Sequence, residues 1–257
     1  MSDDLTQLLR DWPYEPGQLA VRLITGDDGR QKIQLRVDLG VMQMEMDGRP
    51  DGLRPNGYES LLEYEESKLD MMTIEGVDPR AFTLSPDTCR SLREEAAQYY
   101  HRYVAMFVLE AFDVVVRDTT RNLRLLDFFA MHAEEEEDRN AVEQFRAYII
   151  MMRTRALATQ AIRDGESKAA RLLIEDGVEA IRKHYEEMGA PVEAFEQSKE
   201  IQLLRGMDES LTPKLPTSPT AELSDRLRKA VMNENYELAA ILRDELKAMD
   251  KAPPKKG

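Results

Sequence analysis

At 257 residues, the chain is long enough to bury a core without covalent staples, as one large domain or as two modest ones with a small appendage. Its 35 basic and 49 acidic residues leave a net charge of −14. That field disfavours nonspecific attraction to nucleic-acid phosphates or anionic lipid. Hydrophobic residues at 42% and charged residues at 33% suit a helix-rich globular protein, and the single cysteine, Cys89, excludes an intramolecular disulfide and argues for a reducing compartment.

The opening "MSDDLTQLLRDW" is acidic and has no basic region ahead of an apolar run, so no signal peptide is expected. The most apolar stretch, Val104 to Val116, is interrupted by Glu110 and Asp113 and falls short of the roughly 20 residues that a bilayer requires. A cytoplasmic protein without membrane contact is the expectation.

Residues 1–80 read as a β-rich segment with one helix. "QLAVRLI" (18–24) and "KIQLRVDLGVMQMEM" (32–46) flank an Asp-Gly hairpin signal. Ile33, Leu35, Val37 and Leu39 alternate as one strand face should. The parity shifts after Gly40 to Met42, Met44 and Met46, which predicts a long strand bulged near Gly40. Turns follow at "DGRPDG" and "RPNG". A helix over 57–72 carries Leu61, Leu62, Tyr64 and Leu69 and is expected to cover the hairpin, which is marginal alone.

Residues 81–210 read as an α-helical domain. No proline interrupts the chain between Pro86 and Gly189, and apolar residues recur at three and four. Turns are expected near "RDTTRN", "AEEEEDRN" and "RDGES". Leu157, Ala158, Ala161, Gly165, Ala170, Ile174 and Gly177 trace a faint tetratricopeptide-like pattern, which a generic helical-hairpin array produces equally. "APVEAFEQSKEIQLLRGMDES" adds one helix. The fold class expected is therefore α+β, mainly α, with a small N-terminal sheet and a helical body, either TPR-like or built of helical hairpins.

Chemical signatures are scarce. His101, His132 and His184 lack the Glu-x-x-His and His-Glu-x-x-His spacings of metal sites. The run His132 to Asn140 has consecutive glutamates that diverge instead of converging, as a solvated helix end does. Cys89 stands beside Arg90 near a helix start but without a partner set for nucleophilic catalysis. Arg117, Arg121 and Arg124 share a helix face, either as an anion stripe or, more simply, paired with carboxylates. No phosphate-binding glycine motif occurs. Catalytic residues, metal ligands and cofactors are thus expected to be none, although an enzyme site in an unrecognised pocket of the helical body stays open.

Residues 211–220 form a proline-rich linker, 252–257 a tail, and between them lies "AELSDRLRKAVMNENYELAAILRDELKAMDK" (221–251). Leu223, Leu227, Ala230 and Val231 make one helical stripe and "NEN" breaks it. Tyr236, Ala239, Ala240, Leu242, Arg243 and Leu246 make a second. The break predicts a tight αα-hairpin, with alanines where the helices would approach closely. Two helices this short bury little, so the leftover apolar stripe should seek a partner.

The run Leu227, Ala230-Val231, Asn235-Tyr236-Glu237, Ala239-Ala240, Leu242-Arg243-Asp244 and Leu246 resembles the UVR motif, shared by the bacterial excision-repair proteins UvrB and UvrC, certain Clp-family ATPases and an activator of a protein arginine kinase. The resemblance implies a helical hairpin that pairs with another protein, with Leu227, Tyr236, Ala239, Leu242, Arg243 and Leu246 as partner-binding residues. The partner implied is a UVR-containing protein or a second copy, giving a homodimer. Helicase, nuclease, Walker and Cys-x-x-Cys features of those relatives are absent, so their activities do not carry over. A non-enzymatic adaptor or regulator is expected. The alternative is an accessory factor of nucleotide excision repair that touches DNA only together with UvrB/UvrC-like partners.

Overall fold

The computed structural model describes residues 4–211 together with Leu227 and Arg243. The chain divides into two compact units, 1–209 and 210–257. In the first, a short helix α1 (Thr6–Asp11) leads into strands β1 (Val21–Thr25), β2 (Gln31–Val37) and β3 (Gly40–Glu45). Then come α2 (Leu61–Ile74), α3 (Pro86–Val108), α4 (Phe112–His132), α5 (Glu136–Glu143), α6 (Arg146–Arg163), α7 (Ser167–Glu187), α8 (Val192–Glu196) and α9 (Lys199–Leu211). The fold is mainly α with a small antiparallel sheet, as the sequence predicts.

The sheet corrects the expected bulged strand. Its order is β1-β2-β3, and the second pairing closes at Val37↔Gly40. The parity change at Gly40 is therefore a hairpin turn at Asp38-Leu39, not a bulge. Leu39 sits at the tip, 88% exposed, which is why it falls out of the buried series Ile33, Leu35. Asp-Leu is not a turn-forming pair, so the turn is held from outside it. The buried Arg36 guanidinium donates to the carbonyls of Asp38 and Gly40, each at 3.0 Å, and its Nε donates to the Trp12 carbonyl at 2.7 Å. As the middle strand, β2 is buried on both faces, with Ile33 and Leu35 on one and Lys32, Gln34 and Arg36 on the other. The polar face is satisfied across the strands: Arg22 donates to Gln34, Gln34 to Gln43, and Lys32 pairs with Glu45 and Asp28.

Helix α2 starts at an N-cap, Ser60, whose hydroxyl accepts the Glu63 amide. It does not cap the hairpin as expected. Its buried Leu62 joins a cluster of Phe82, Leu84, Cys89, Leu92, Leu125, Leu126, Phe128, Phe129, Val142 and Ile149, drawn from the connection to α3 and from α3 to α6.

The helical body departs from the predicted turns at two places. "RDTTRN" lies within α4, which runs unbroken from Phe112 to His132. Its polar residues are satisfied there by tertiary partners and by the helix itself: Thr119 donates to the Val115 carbonyl at 2.6 Å, and Asn122 to the Ala96 carbonyl of α3 at 3.1 Å. The break comes earlier instead, at Leu109–Ala111, where Glu110 takes a left-handed φ of 61° without being glycine. The "AEEEEDRN" turn is present: Leu84 and Ala133 form an isolated parallel bridge beside it. The turn at "RDGES" is present as well, with Gly165 at φ 80°. The last expected helix is two, α8 and α9, separated at Ser198, whose hydroxyl accepts the Ile201 amide. Leu211, expected to open the linker, ends α9.

The small residues of the tetratricopeptide-like pattern mark one close helix crossing. Ala158 and Ala161 of α6 and Ala170 and Ile174 of α7 are buried, and Gly177 faces Thr154. A Cβ at Gly177 would lie 2.6 Å from Thr154 Cγ2 and 2.9 Å from its Cβ. Gly177→Ala is accordingly expected to lower unfolding stability by about 1–3 kcal/mol in urea denaturation, and Thr154→Ala to restore part of that loss in the double variant.

Candidate protein-interaction site

The body is organised around a buried ionic network between α3 and α4. Positions 95, 99 and 102 share one face of α3, and 118, 121 and 122 one face of α4. The antiparallel pairing of the two helices sets Arg102 against Asp118 and Glu95 against Arg121. Arg102 and Asp118 are wholly buried and joined bidentately, Nε to Oδ2 at 2.7 Å and Nη2 to Oδ1 at 2.9 Å. The remaining Arg102 nitrogen donates to the carbonyls of Glu45 and Gly48 at 3.0 and 2.8 Å, which ties the end of β3 to the helices. Glu95 pairs with Arg121 and accepts the Leu61 and Leu62 amides at 2.7 and 3.2 Å. It thereby places a carboxylate on the N-terminus of α2. Tyr99 lies beneath both guanidiniums, 4.2 Å from Arg121 and 4.9 Å from Arg102. Burial draws the Arg121 pKa down, against the opposing pull of Glu95.

The arginine stripe resolves into pairs: Arg117 with Asp118 and Asp47, Arg121 with Glu95, and Arg124 with Glu66. The glutamate run from Glu134 to Glu137 is exposed, and Asp138 turns inward to Arg93. An open cleft of about 560 Å³ beside β3 is lined by Arg30, Arg49 and Arg54 but equally by Glu45, Asp47 and Glu59. It carries no charge bias toward an anion.

The three histidines are scattered. His132 is buried between Phe82 and Phe128, with Nδ1 3.3 Å from the Phe82 carbonyl. Nδ1 of His184 is 3.4 Å from Glu143. Burial pushes that carboxyl up, but hydrogen bonds from His184 and Arg146 outweigh it and hold Glu143 below the usual range. Burial draws the His101 pKa down. Among the described residues no group of three or more His, Cys, Asp and Glu side chains is placed to hold a metal ion. No helix among them is long and apolar enough to cross a membrane.

Cys89 lies at 0% exposure in the first turn of α3, where a helix start by itself would favour the thiolate. Burial wins, helped by Asp138, and pushes the thiol up to about 12. The native chain is therefore expected to leave Cys89 unmodified by a thiol-reactive disulfide reagent at pH 8, with one equivalent reacting once guanidinium is added. Removal of one ionic partner is expected to act more strongly on the fold: Arg102→Met or Asp118→Asn should each cost about 3–5 kcal/mol in chemical denaturation. Removing both charges, as Arg102→Met with Asp118→Leu, should cost less than the sum.

Of the residues assigned to partner binding, Leu227 is helical and half-buried and Arg243 is helical and exposed. Tyr236, Ala239, Leu242 and Leu246 lie outside the described residues, as do the linker after Leu211 and the tail.

Residues 218–252 match the family model described as UVR, the UvrB/uvrC motif. The match spans the two apolar stripes and all six assigned residues. No curated protein matches the chain, and no solved structure matches it. The second unit thus carries a UvrB/UvrC-type motif, on a body of α+β architecture that the family model does not cover.

Proposed function

We propose that this chain is a non-enzymatic, cytoplasmic adaptor or regulator that meets a protein partner through residues 221–251. The observation that carries the reading is the UVR match at 218–252, in the unit that begins at Ser210. Residues 212–220, "TPKLPTSPT", hold three prolines, a composition that reads as a linker. A tether of that kind raises the local concentration of a docking module without fixing its orientation. The stripe Leu227, Tyr236, Ala239, Leu242 and Leu246 supplies the apolar contact, and Arg243 a polar rim. The partner is a UVR-bearing protein or a second copy of this chain. Because the motif is shared by UvrB and UvrC, a second reading is an accessory role in bacterial nucleotide excision repair. The net charge of −14 disfavours contact with DNA except through partners.

Affinity capture from a bacterial lysate tests this. A truncation after Leu211 is expected to stay folded, with an unfolding midpoint close to that of the full chain, yet to lose the captured partner or self-association. Tyr236→Ala with Leu242→Ala in the full chain should lose at least tenfold of the binding. Capture profiles identical for wild type and both variants would refute the proposal.

A further inference from the structure

About a third of a turn round α3 from the residues of the ionic network, the first unit carries a small aromatic cluster. Tyr100 of α3 meets Tyr148 of α6 with ring centroids 6.2 Å apart, and Phe107 of α3 lies 4.5 Å beneath the Arg155 guanidinium of α6. Each step is seven residues along its helix, so α3 and α6, which both pack against α4, run in the same direction and meet through these side chains. They present two aromatic rungs about 10 Å apart. Tyr100 is 40% exposed, and Tyr148, Phe107 and Arg155 are half-buried. Tyr103 backs the first rung edge-on from the core, 5.5 Å from Tyr100.

Arg155 is the anomaly of this face. Every other half-buried arginine among the described residues has an oxygen partner: Arg22 has Gln34, Arg49 has Asp51, Arg93 has Asp138, Arg139 has the Ala133 carbonyl, Arg146 has Asp127 and Arg153 has Thr120. Arg171 has Asp208. Arg155 has only the Met152 sulfur at 3.8 Å and the Phe107 ring. Burial pulls its pKa down, and the chief opposing influence is the Tyr148 phenol, not a carboxylate. A half-buried guanidinium whose N–H groups meet no oxygen of its own chain is open to a carboxylate from elsewhere.

We propose that the α3/α6 face, with Tyr100 and Tyr148 on one rung and Phe107 and Arg155 on the other, docks an acidic and apolar peptide segment of a partner protein. One carboxylate of the segment takes Arg155 bidentately, and an aromatic or aliphatic side chain packs on the two tyrosines. A single cation suits a single carboxylate. The overall negative charge turns away polyanions such as nucleic acid, whose binding depends on many basic contacts. This surface lies outside residues 218–252, so it is a binding surface additional to the UVR motif.

The test uses the full chain, labelled with ¹⁵N, and two synthetic probes: acetyl-Leu-Asp-Phe-Asp-Leu-amide and its counterpart with both aspartates replaced by asparagine. Saturable shifts of the Arg155 Nε–H signal and of amides around Tyr100 and Tyr148 are expected with the aspartate peptide. Affinity should fall at least tenfold with the asparagine peptide, and at least tenfold for Arg155→Gln. Tyr100→Ser, at a position 40% exposed, is expected to keep an unfolding midpoint close to wild type and should weaken the aspartate peptide at least threefold. No binding, equal affinity for the two peptides, affinity unchanged in either variant, or preferential binding of a dT12 oligonucleotide at these residues would each overturn the proposal.

Discussion

Arg102 is the residue on which the first unit most depends. One guanidinium closes a bidentate pair with Asp118 on α4 and donates to two backbone carbonyls at the end of β3. A small sheet packed on helices by apolar contact alone has no strong reason to keep one orientation. Four directed hydrogen bonds from a rigid planar group supply that reason, and lysine could not make them. Glu95 does the corresponding work for α2, whose first amides it accepts while it holds Arg121. Sheet, α2 and the α3/α4 hairpin are thereby joined through two neighbouring ion pairs, with Tyr99 filling the space beneath them.

Burying so much charge costs desolvation, and such networks are seldom the most stable filling for a core. Their gain is orientation. The first unit keeps this network, and the second unit bears the UVR motif after a proline-rich sequence. Neither the body's histidines nor its one cysteine converge on a site. Cys89 and His132 are enclosed by aliphatic and aromatic side chains, and the cleft beside β3 has matched charges. Among the half-buried arginines of the described residues, Arg155 is the one without an oxygen partner.

Much of the architecture was legible in the sequence because it follows from local periodicity. Alternation marked the strands, three-and-four spacing marked the helices, and Gly165 marked its turn, since a positive φ there is free of strain only for glycine. The errors fall where tertiary contacts overrode local chemistry. The Asp38-Leu39 turn is held by Arg36, a residue outside it, and no turn-forming pair announces it. The α3–α4 break uses Glu110 at φ 61°, so no glycine flags it. Conversely, "RDTTRN" reads as a turn because its residues are polar and β-branched. In the fold, Asp118 and Asn122 find partners on α3, Arg121 pairs with Glu95, and Thr119 bonds back to its own helix.

The same division governs the candidate interaction sites. The UVR motif is written in consecutive residues, and "YELAAILRDEL" is specific enough to be read without a fold. By itself, then, the sequence determined the class of fold, the absence of disulfides, the strong negative charge and the UVR unit. Only tertiary structure decided which arginines meet internal carboxylates and that Arg155 meets no oxygen at all. Arg117, Arg121, Arg124 and Arg155 look alike in the chain. Asp47, Glu95, Glu66 and Phe107, which they meet, stand 26 to 70 residues away, and the electrostatic state of a side chain is set by what surrounds it in space more than by its neighbours in sequence.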